Sequence, residues 1–435
     1  MAASKSVGIR LERKKDASLL NWNLKKTYSP EKVRVPLRCG SRPCVRAGEH
    51  VQTGQKIAEP DRPEEVTVYA GIAGTVTEIA SIPDPTGATI TAVTVQGRAE
   101  PKSAPVVWEV RKGWEQISAG EFMMTCQHLG LVTTDLSSEP VHAKVKKNAA
   151  ARTLIVNCCE PEPYITCEQV LLLSHPVEIL KGAELLRKAL GAEKILFAFE
   201  ECNFEVGELI KSKIFFLKWD HAEARAVPAL YPQGLEKLLL QNWFPGKEDQ
   251  AVAFPASTVF AIYEAVAHQK PFYERIVTVG GECVVEPRSL WLPLGTSFRD
   301  ALHACKGVMR EPDKMVMNGP MAGIAQADMN VPVTAGTAAV LALPKEIVKE
   351  DPEEPCLRCN LCVDKCPVGI SPVMITLAAD HGEFGIAAIS GAEACIECGN
   401  CGYVCPSKRP MLKKIRAAKE GLKTHRIRET AARHG

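Results

Sequence analysis

The chain lacks any run of 18 or more consecutive apolar residues, the length a helix needs to cross the hydrocarbon core of a bilayer. It also lacks net charge: 53 Lys and Arg against 51 Asp and Glu leave +2, so no global field draws it to nucleic acid or lipid. A secretory pattern is missing too, because Lys5 to Lys15 (KSVGIRLERKK) is polar and basic with no apolar stretch behind it. The expected location is cytoplasmic, either free or peripheral on the cytoplasmic face of the inner membrane. Nor is this a small disulfide scaffold. The 17 cysteines are spread over 435 residues, part in two tight runs and the rest scattered, a usage that fits a reducing compartment. That length predicts roughly three or four domains of ~100–150 residues, and an apolar fraction of 46% fills ordinary globular cores.

The two runs carry the chemistry. They read Cys356-x-x-Cys359-x-x-Cys362-x-x-x-Cys366-Pro367 and Cys395-x-x-Cys398-x-x-Cys401-x-x-x-Cys405-Pro406. Three thiolates at this spacing wrap a cubane, and the fourth, followed by proline, ligates the cluster of the other run. Two [4Fe-4S] clusters are therefore predicted. Zinc is the alternative, but zinc modules show two CxxC pairs separated by a longer loop. A third cysteine two residues on and a Cys-Pro ending fit a cubane better. Between the runs, VMITLAADHG and EFGIAAISG within Ser371 to Gly391 predict short helices, hence a helical two-cluster ferredoxin domain over residues 346–412.

Upstream, the chain divides by pattern. Residues 1–29 are charged and without a period, which predicts a basic arm that is mobile or docks a partner. Residues 30–105 are strand-like and rich in turns. Their half-repeat Gly48-x-x-Val51-x-x-Gly54-Gln55-x-Ile57, followed by a strand, is similar to the lipoyl or biotinyl barrel-sandwich family. Carriers of that family hold their group on a lysine at the turn between the halves. The turn here, Pro60 to Glu65, reads PDRPEE and has none, so a structural barrel is expected. Cys39 and Cys44 are expected to be ordinary buried thiols.

Over residues 106–270, strand runs (TLIVN, Thr153 to Asn157; KILFAFE, Lys194 to Glu200) alternate with helical spacing (EILKGAELLRKAL, VGELIKSKI, LEKLLLQ). This alternation predicts an α/β domain with a parallel sheet, whose ligand edge includes the loop after Asn157. Residues 271–345 (ERIVTVGGECVV, LWLPLGTSFRDAL, MVMNGPMAG) resemble a ligand-binding β-grasp domain, with packing as its expected role. Residues 413–435 predict a basic helical tail, a solvated face with docking of an acidic carrier or a membrane surface as the alternative.

Five long collinear motifs then carry a resemblance: Asn157 to Cys167 (NCCEPEPYITC), Tyr231 to Lys237 (YPQGLEK), Asn318 to Gly323 (NGPMAG), Val331 to Thr337 (VPVTAGT) and Cys395 to Pro410 (CIECGNCGYVCPSKRP). Together they look like the C subunit of the Rnf electron-transport complex (RnfC-like), a relative of the flavin- and NADH-binding subunit of respiratory complex I. The resemblance runs from about residue 30 to 422. It implies a multidomain α+β chain: an N-terminal barrel-sandwich (lipoyl-like) domain, an α/β fold like the complex I flavin domain, a β-grasp (SLBB-like) domain, and a C-terminal helical two-[4Fe-4S] ferredoxin domain. It further implies an iron-sulfur electron-transfer subunit of a multi-subunit oxidoreductase, serving redox partner proteins such as a ferredoxin, a flavoprotein or other subunits.

The departures from the family bear on FMN. Its loop G-x-V-G-x-G-G-A-G-F-P-T lets backbone approach the flavin phosphate and the nicotinamide, an approach a Cβ obstructs. The collinear stretch from Gly130 to Pro140 keeps no glycine after Gly130; Thr133, Thr134, Asp135, Ser137 and Ser138 stand instead, and Asp135 and Glu139 add negative charge. Pro255 replaces a flavin-contacting Asn, Phe204 a lysine, and Leu235 a glycine. Glu160, Glu162 and Tyr164 remain from the flavin site, though beside Pro161 the carboxylates have the alternative of shaping a turn. The expectation is an electron-transfer subunit without catalytic acid–base residues, without FMN and without NADH oxidation of its own. The alternative is the FMN-dependent, NADH-oxidising C subunit of an Rnf-type ferredoxin:NAD oxidoreductase complex. A third reading is an adaptor that keeps the cluster domain for stability.

Overall fold

The computed structural model describes residues 7–20, 24, 28–97, 108–348 and 351–434, with side chains through Thr424. Residues 7–19, expected to be mobile, are pinned. Ile9 pairs with Tyr231 through two backbone hydrogen bonds, and α1 (Asp16–Leu19) buries Ser18. Residues 1–6, 21–23 and 25–27 of the expected arm lie outside the described residues.

The barrel is built from β1 (Lys32–Pro36), β2 (Ser41–Pro43), β3 (His50–Val51), β4 (Lys56–Pro60), β5 (Val68–Tyr69), β6 (Gly74–Pro83) and β7 (Thr89–Gly97). The strands form antiparallel sheets of order β1-β7-β6-β3 and β2-β4-β5. Alternation sends Val33, Val35, Val76, Val93 and Val95 inward, where they meet Val51 and Ile57. The turn at Pro60 to Glu65 is not free: the Pro63 carbonyl accepts from Gln127 Nε2, and His142 Nε2 lies 3.1 Å from it. Cys39 and Cys44 are exposed, contrary to the buried thiols expected, because both sit on short edge loops of the smaller sheet.

The next unit runs α2 (Ala119–His128), α3 (Val141–Lys147), β8 (Thr153–Asn157), α4 (Cys167–Ser174), α5 (Pro176–Leu190), β9 (Lys194–Glu200), α6 (Phe204–Leu217), β10 (Ala222–Val227), α7 (Glu236–Trp243), β11 (Ala251–Pro255) and α8 (Ala256–His268). Its four strands are parallel in the order β10-β9-β8-β11, as the alternation predicts. Helix α5 starts with Pro176 at its first position and stops at Gly191, which takes the left-handed conformation (φ 68°). It buries Ile179, Leu180, Ala183, Leu186 and Leu190 at three- and four-residue spacing. Gly182 lets α5 and α8 touch, since a Cβ there would sit 2.2 Å from the Val259 carbonyl oxygen. The strand ends at Asn157, Glu200, Val227 and Pro255 share one edge of the sheet, where a doubly wound fold presents its ligand crevice.

The β-grasp unit has β12 (Glu274–Gly280), β13 (Arg288–Pro293), α9 (Phe298–Ala304), β14 (Lys314–Met317), β15 (Ile324–Gln326) and β16 (Ala339–Leu343), in the order β13-β12-β16-β14-β15. The C-terminal unit is helical: α10 (Leu361–Asp364), α11 (Pro372–Asp380), α12 (Phe384–Ile389), α13 (Asn400–Tyr403) and α14 (Met411–His434). The two helices predicted between the cysteine runs are α11 and α12. Ile415, Ala418 and Leu422 of α14 are buried against them, so the tail's first turns belong to this core instead of forming a solvated face. Tail side chains beyond Thr424 lie outside the described residues.

Candidate cluster centres and the adjoining crevice

Each cysteine run folds as a tight loop ending in a one-turn helix, and the two loops repeat one conformation. Arg358 and Asn360 in the first run, and Glu397 and Gly399 in the second, take positive φ at matching positions. The Arg358 N–H points at Cys356 Sγ and the Glu397 N–H at Cys395 Sγ, both at 3.4 Å. The loops thus aim thiols inward and supply N–H donors to the first sulfur, a contact that stabilises a thiolate.

The thiols ring two voids. One is lined by Cys356, Cys359, Cys362 and Cys405, with Val373 and Met411 behind them. The other is lined by Cys395, Cys398, Cys401 and Cys366, with Ile370 and Ile415 behind them. In each void three thiols come from one run and the fourth from the other, because each Cys-Pro ending leads the chain across to its neighbour. Each void thus presents four thiols. The voids differ in access: Cys359 is exposed, whereas Cys398 and Cys401 are buried. Burial pushes the Cys398 and Cys401 thiols up to about 12, so a metal centre there must displace their protons.

The buried void meets the rest of the molecule at Glu162. The Tyr231 hydroxyl donates to the Cys398 carbonyl oxygen at 2.7 Å and lies 3.2 Å from Glu162 Oε1. The Glu162 carboxylate also accepts from the N–H groups of Met321 (3.1 Å) and Ala322 (2.8 Å). Two glycines make this approach possible: a Cβ on Gly319 would fall 2.1 Å from Glu162 Oε2, and one on Gly399 2.4 Å from the Met321 carbonyl oxygen. Four of the sequence motifs therefore converge on one junction of three domains. Burial raises Glu162 above the ordinary carboxylate range against the pull of its donors.

The crevice at the strand ends is occupied by the chain's own arm. Lys15, almost fully buried, donates to the Glu160 carbonyl and lies 4.0 Å from Glu200; Arg13 reaches Glu200 at 3.4 Å. The Glu160 carboxylate caps α4, accepting from the N–H groups of Glu168 (2.8 Å) and Gln169 (3.0 Å). Tyr164 donates its N–H to the Arg13 carbonyl and its hydroxyl to Glu282. The remnants Glu160, Glu162 and Tyr164 are thus all engaged. Glu168 accepts from the Ser257 N–H at 2.7 Å, and burial first, then the charge of Glu160, lifts it to about 7. Lys15, Glu168 and Tyr231's bond to Cys398 were not read as functional from sequence. Lys15 has no local signal, and Glu168 sits in a plain helical pattern.

The loop that replaces the family's glycines is closed upon itself. Thr133 and Thr134 are buried. The Thr134 N–H donates to Thr258 Oγ1 (2.9 Å), and Thr134 Oγ1 lies 2.7 Å from Ser257 Oγ. Asp135 Oδ1 accepts from the Ser137 N–H, the Ser138 N–H goes to the Asp135 carbonyl, the Glu139 N–H to Thr133 Oγ1, and the Thr133 N–H to the Glu139 carbonyl. Fully buried Arg275 donates to the Thr134 carbonyl at 2.8 Å. Five backbone donors of the loop are therefore consumed internally, and side chains bridge the space between the loop and the start of α8. A phosphate held by a loop of this kind takes backbone donors that are free and aimed outward, and these five have acceptors within the protein.

Four domain families match the chain in the order in which these units occur: the RnfC barrel sandwich hybrid domain over residues 4–100, the Nuo51 FMN-binding domain over 127–265, the SLBB domain over 276–325, and the 4Fe-4S dicluster domain over 347–406. The class is thus a flavin-domain relative joined to a dicluster ferredoxin. The C subunit of the ion-translocating oxidoreductase complex of Rhodobacter capsulatus is 30% identical over 419 residues, covering 92% of this chain and 80% of that protein. The C subunit of the proton-translocating ferredoxin:NAD(+) oxidoreductase complex of Clostridium ljungdahlii is 29% identical over 363 residues, covering 80% and 78%. Its counterpart in the Na(+)-translocating ferredoxin:NAD(+) oxidoreductase complex of Acetobacterium woodii is 28% identical over 408 residues, covering 90% and 91%. The chain belongs to this family of complex C subunits.

Proposed function

We propose that the chain is the iron-sulfur electron-transfer subunit of a multi-subunit oxidoreductase of the Rnf type, relaying single electrons between partner proteins. The observation that carries this reading is the exchange of the fourth cysteine between the two voids, the ligand pattern of paired cubanes. Cys356, Cys359, Cys362 and Cys405 would hold one [4Fe-4S] cluster, and Cys395, Cys398, Cys401 and Cys366 the other; when bound, each supplies one-electron chemistry. The protein's part is to orient and insulate. Ile370, Ile415 and the Tyr231 junction shield the second centre, while the exposure of Cys359 suits the first for exchange with a partner. Partners are other subunits, a ferredoxin or a flavoprotein, and nucleic acid is not among them. Among the described residues no helix is long and apolar enough to cross a membrane, so a place on the complex would be peripheral.

In this reading FMN is absent and NADH is not oxidised by this chain alone, because the loop from Thr133 to Glu139 has spent its donors. The second reading, an FMN-dependent NADH-oxidising subunit, is favoured by the match to the FMN-binding domain over 127–265. Anaerobic purification followed by iron, sulfide and flavin determination separates the two. About eight iron and eight sulfide without flavin support the first, and stoichiometric FMN supports the second. Clusters that dithionite reduces but that pass no electron to any partner subunit or carrier would favour an adaptor.

A further inference from the structure

Helix α6 leaves the core before it ends. Val206, Gly207 and Ile210 form its buried stripe, and Gly207 lies so close to the Phe199 ring that a Cβ would come within 2.2 Å of it. Past Ile214 the contacts stop: Phe215 is 85% exposed, Phe216 84% and Leu217 41%. Consecutive helical residues point about 100° apart, so the exposure of every position from Phe215 to Lys218, most of a full turn, means that the helix end projects as a convex knob. Lysines surround it. Lys211 pairs with Glu208, whereas Lys213 and Lys218 form no ion pair among the described residues; Lys218 closes the helix in a left-handed conformation. Asp220 is the nearest acid that follows.

We propose that this tip is a membrane-docking element that sinks Phe215 and Phe216 into the headgroup region of an anionic bilayer. A pair of rings on a projecting helix end, with lysines able to lay their stems along the apolar surface and keep their ammonium groups at phosphate level, is the arrangement of interfacial helices. A convex knob suits a deformable lipid surface better than a rigid protein face, and a patch of large apolar side chains left in solvent marks an interaction site. Position agrees. Helix α6 connects parallel strands β9 and β10, so it starts at the crevice edge of the sheet and ends at the opposite edge. Docking through the tip leaves the Tyr231 junction and the cluster domain clear of the bilayer. The inference extends the reading of the chain as a peripheral subunit of a multi-subunit oxidoreductase but stands on the helix tip alone.

Flotation of the full, cluster-loaded chain with phosphatidylcholine vesicles, with and without phosphatidylglycerol, tests it. Wild type should float with the anionic vesicles, and added salt should weaken the association. F215S/F216S should lower partition at least about tenfold, the factor that ~1.4 kcal/mol produces. K213E/K218E should abolish the preference for anionic lipid. Iron content and circular dichroism of the variants verify folding. The same preparation's reduction by dithionite reports on the electron-transfer reading separately. A wild-type chain that ignores both vesicle types, or a double phenylalanine variant that floats as well as wild type, overturns the proposal. So does a photoreactive residue at position 216 that labels another subunit and no lipid, which would assign the knob to a protein interface.

Discussion

Tyr231 donates its hydroxyl proton to the main-chain carbonyl of Cys398 across 2.7 Å, so a residue of the α/β domain directly holds a residue of the second cysteine run. Both groups are buried, and the same oxygen lies 3.2 Å from Glu162. Tyr231→Phe leaves that carbonyl without its donor, at a cost of about 1–3 kcal/mol. The variant should unfold at lower temperature, and the electron paramagnetic resonance lines of the cluster on Cys395, Cys398 and Cys401 should shift while those of the other stay put. Unchanged spectra for both clusters would show that the bond holds the domains together without reaching the metal centre.

Crossed ligation makes a sharper demand. Cys405→Ala should damage the cluster that rests mainly on Cys356, Cys359 and Cys362, and Cys366→Ala the one on Cys395, Cys398 and Cys401, since each fourth thiol lines the other run's void. Cys359→Ala and Cys398→Ala should each remove the signal of their own run's cluster. Mössbauer or resonance spectra of the four variants decide it. If Cys405→Ala spares the first cluster, each run closes on its own metal.

Much of this was legible beforehand because it is local. The cysteine spacing specifies which thiols can share a cubane, period-2 and period-3.6 patterns separate barrel, α/β and helical units, and the missing glycines after Gly130 announce a changed loop. What could not be read depends on chain segments distant in sequence. Nothing near Lys15 says that it will be buried beside Glu200, 185 positions on, and nothing in NGPMAG says that its N–H groups will hold Glu162. The arm looked mobile because its charges have no period; their partners lie in the crevice. The tail looked solvated because lysines and arginines are spread along its length, yet Ile415, Ala418 and Leu422 fall on one helix face and find α11 and α12.

A pH effect follows from Glu168. Burial, and then the neighbouring Glu160, raise its folded value from 4.5 to about 7. A carboxyl raised on folding binds its proton more tightly in the native state. Its contribution to stability is therefore fully present below about 4.5 and is lost as pH climbs toward 7. Glu168→Gln keeps an acceptor for the Ser257 N–H but carries no charge. Denaturant midpoints measured across pH 5 to 8 should show the variant gaining on wild type as pH rises, with the gain levelling off above about 7. A difference that stays constant over that range would mean that Glu168 does not titrate there.

The last expectation concerns flavin. A non-covalently held FMN depends on backbone N–H groups turned toward its phosphate. Here the N–H groups of Thr133, Thr134, Ser137, Ser138 and Glu139 already have acceptors inside the protein, and Thr134 is tied to Ser257 and Thr258 at the start of α8. Admitting the phosphate would mean breaking these bonds and setting its charge beside Asp135. Even ~4 kcal/mol lost in this way weakens binding about a thousandfold, enough to empty a micromolar site. Titration with FMN should therefore give no saturable fluorescence quenching, and NADH should leave the clusters oxidised while dithionite bleaches them. Stoichiometric FMN in the purified chain, or rapid bleaching by NADH without a partner, would mean that the loop opens to take the cofactor, and the NADH-oxidising reading would replace the one argued here.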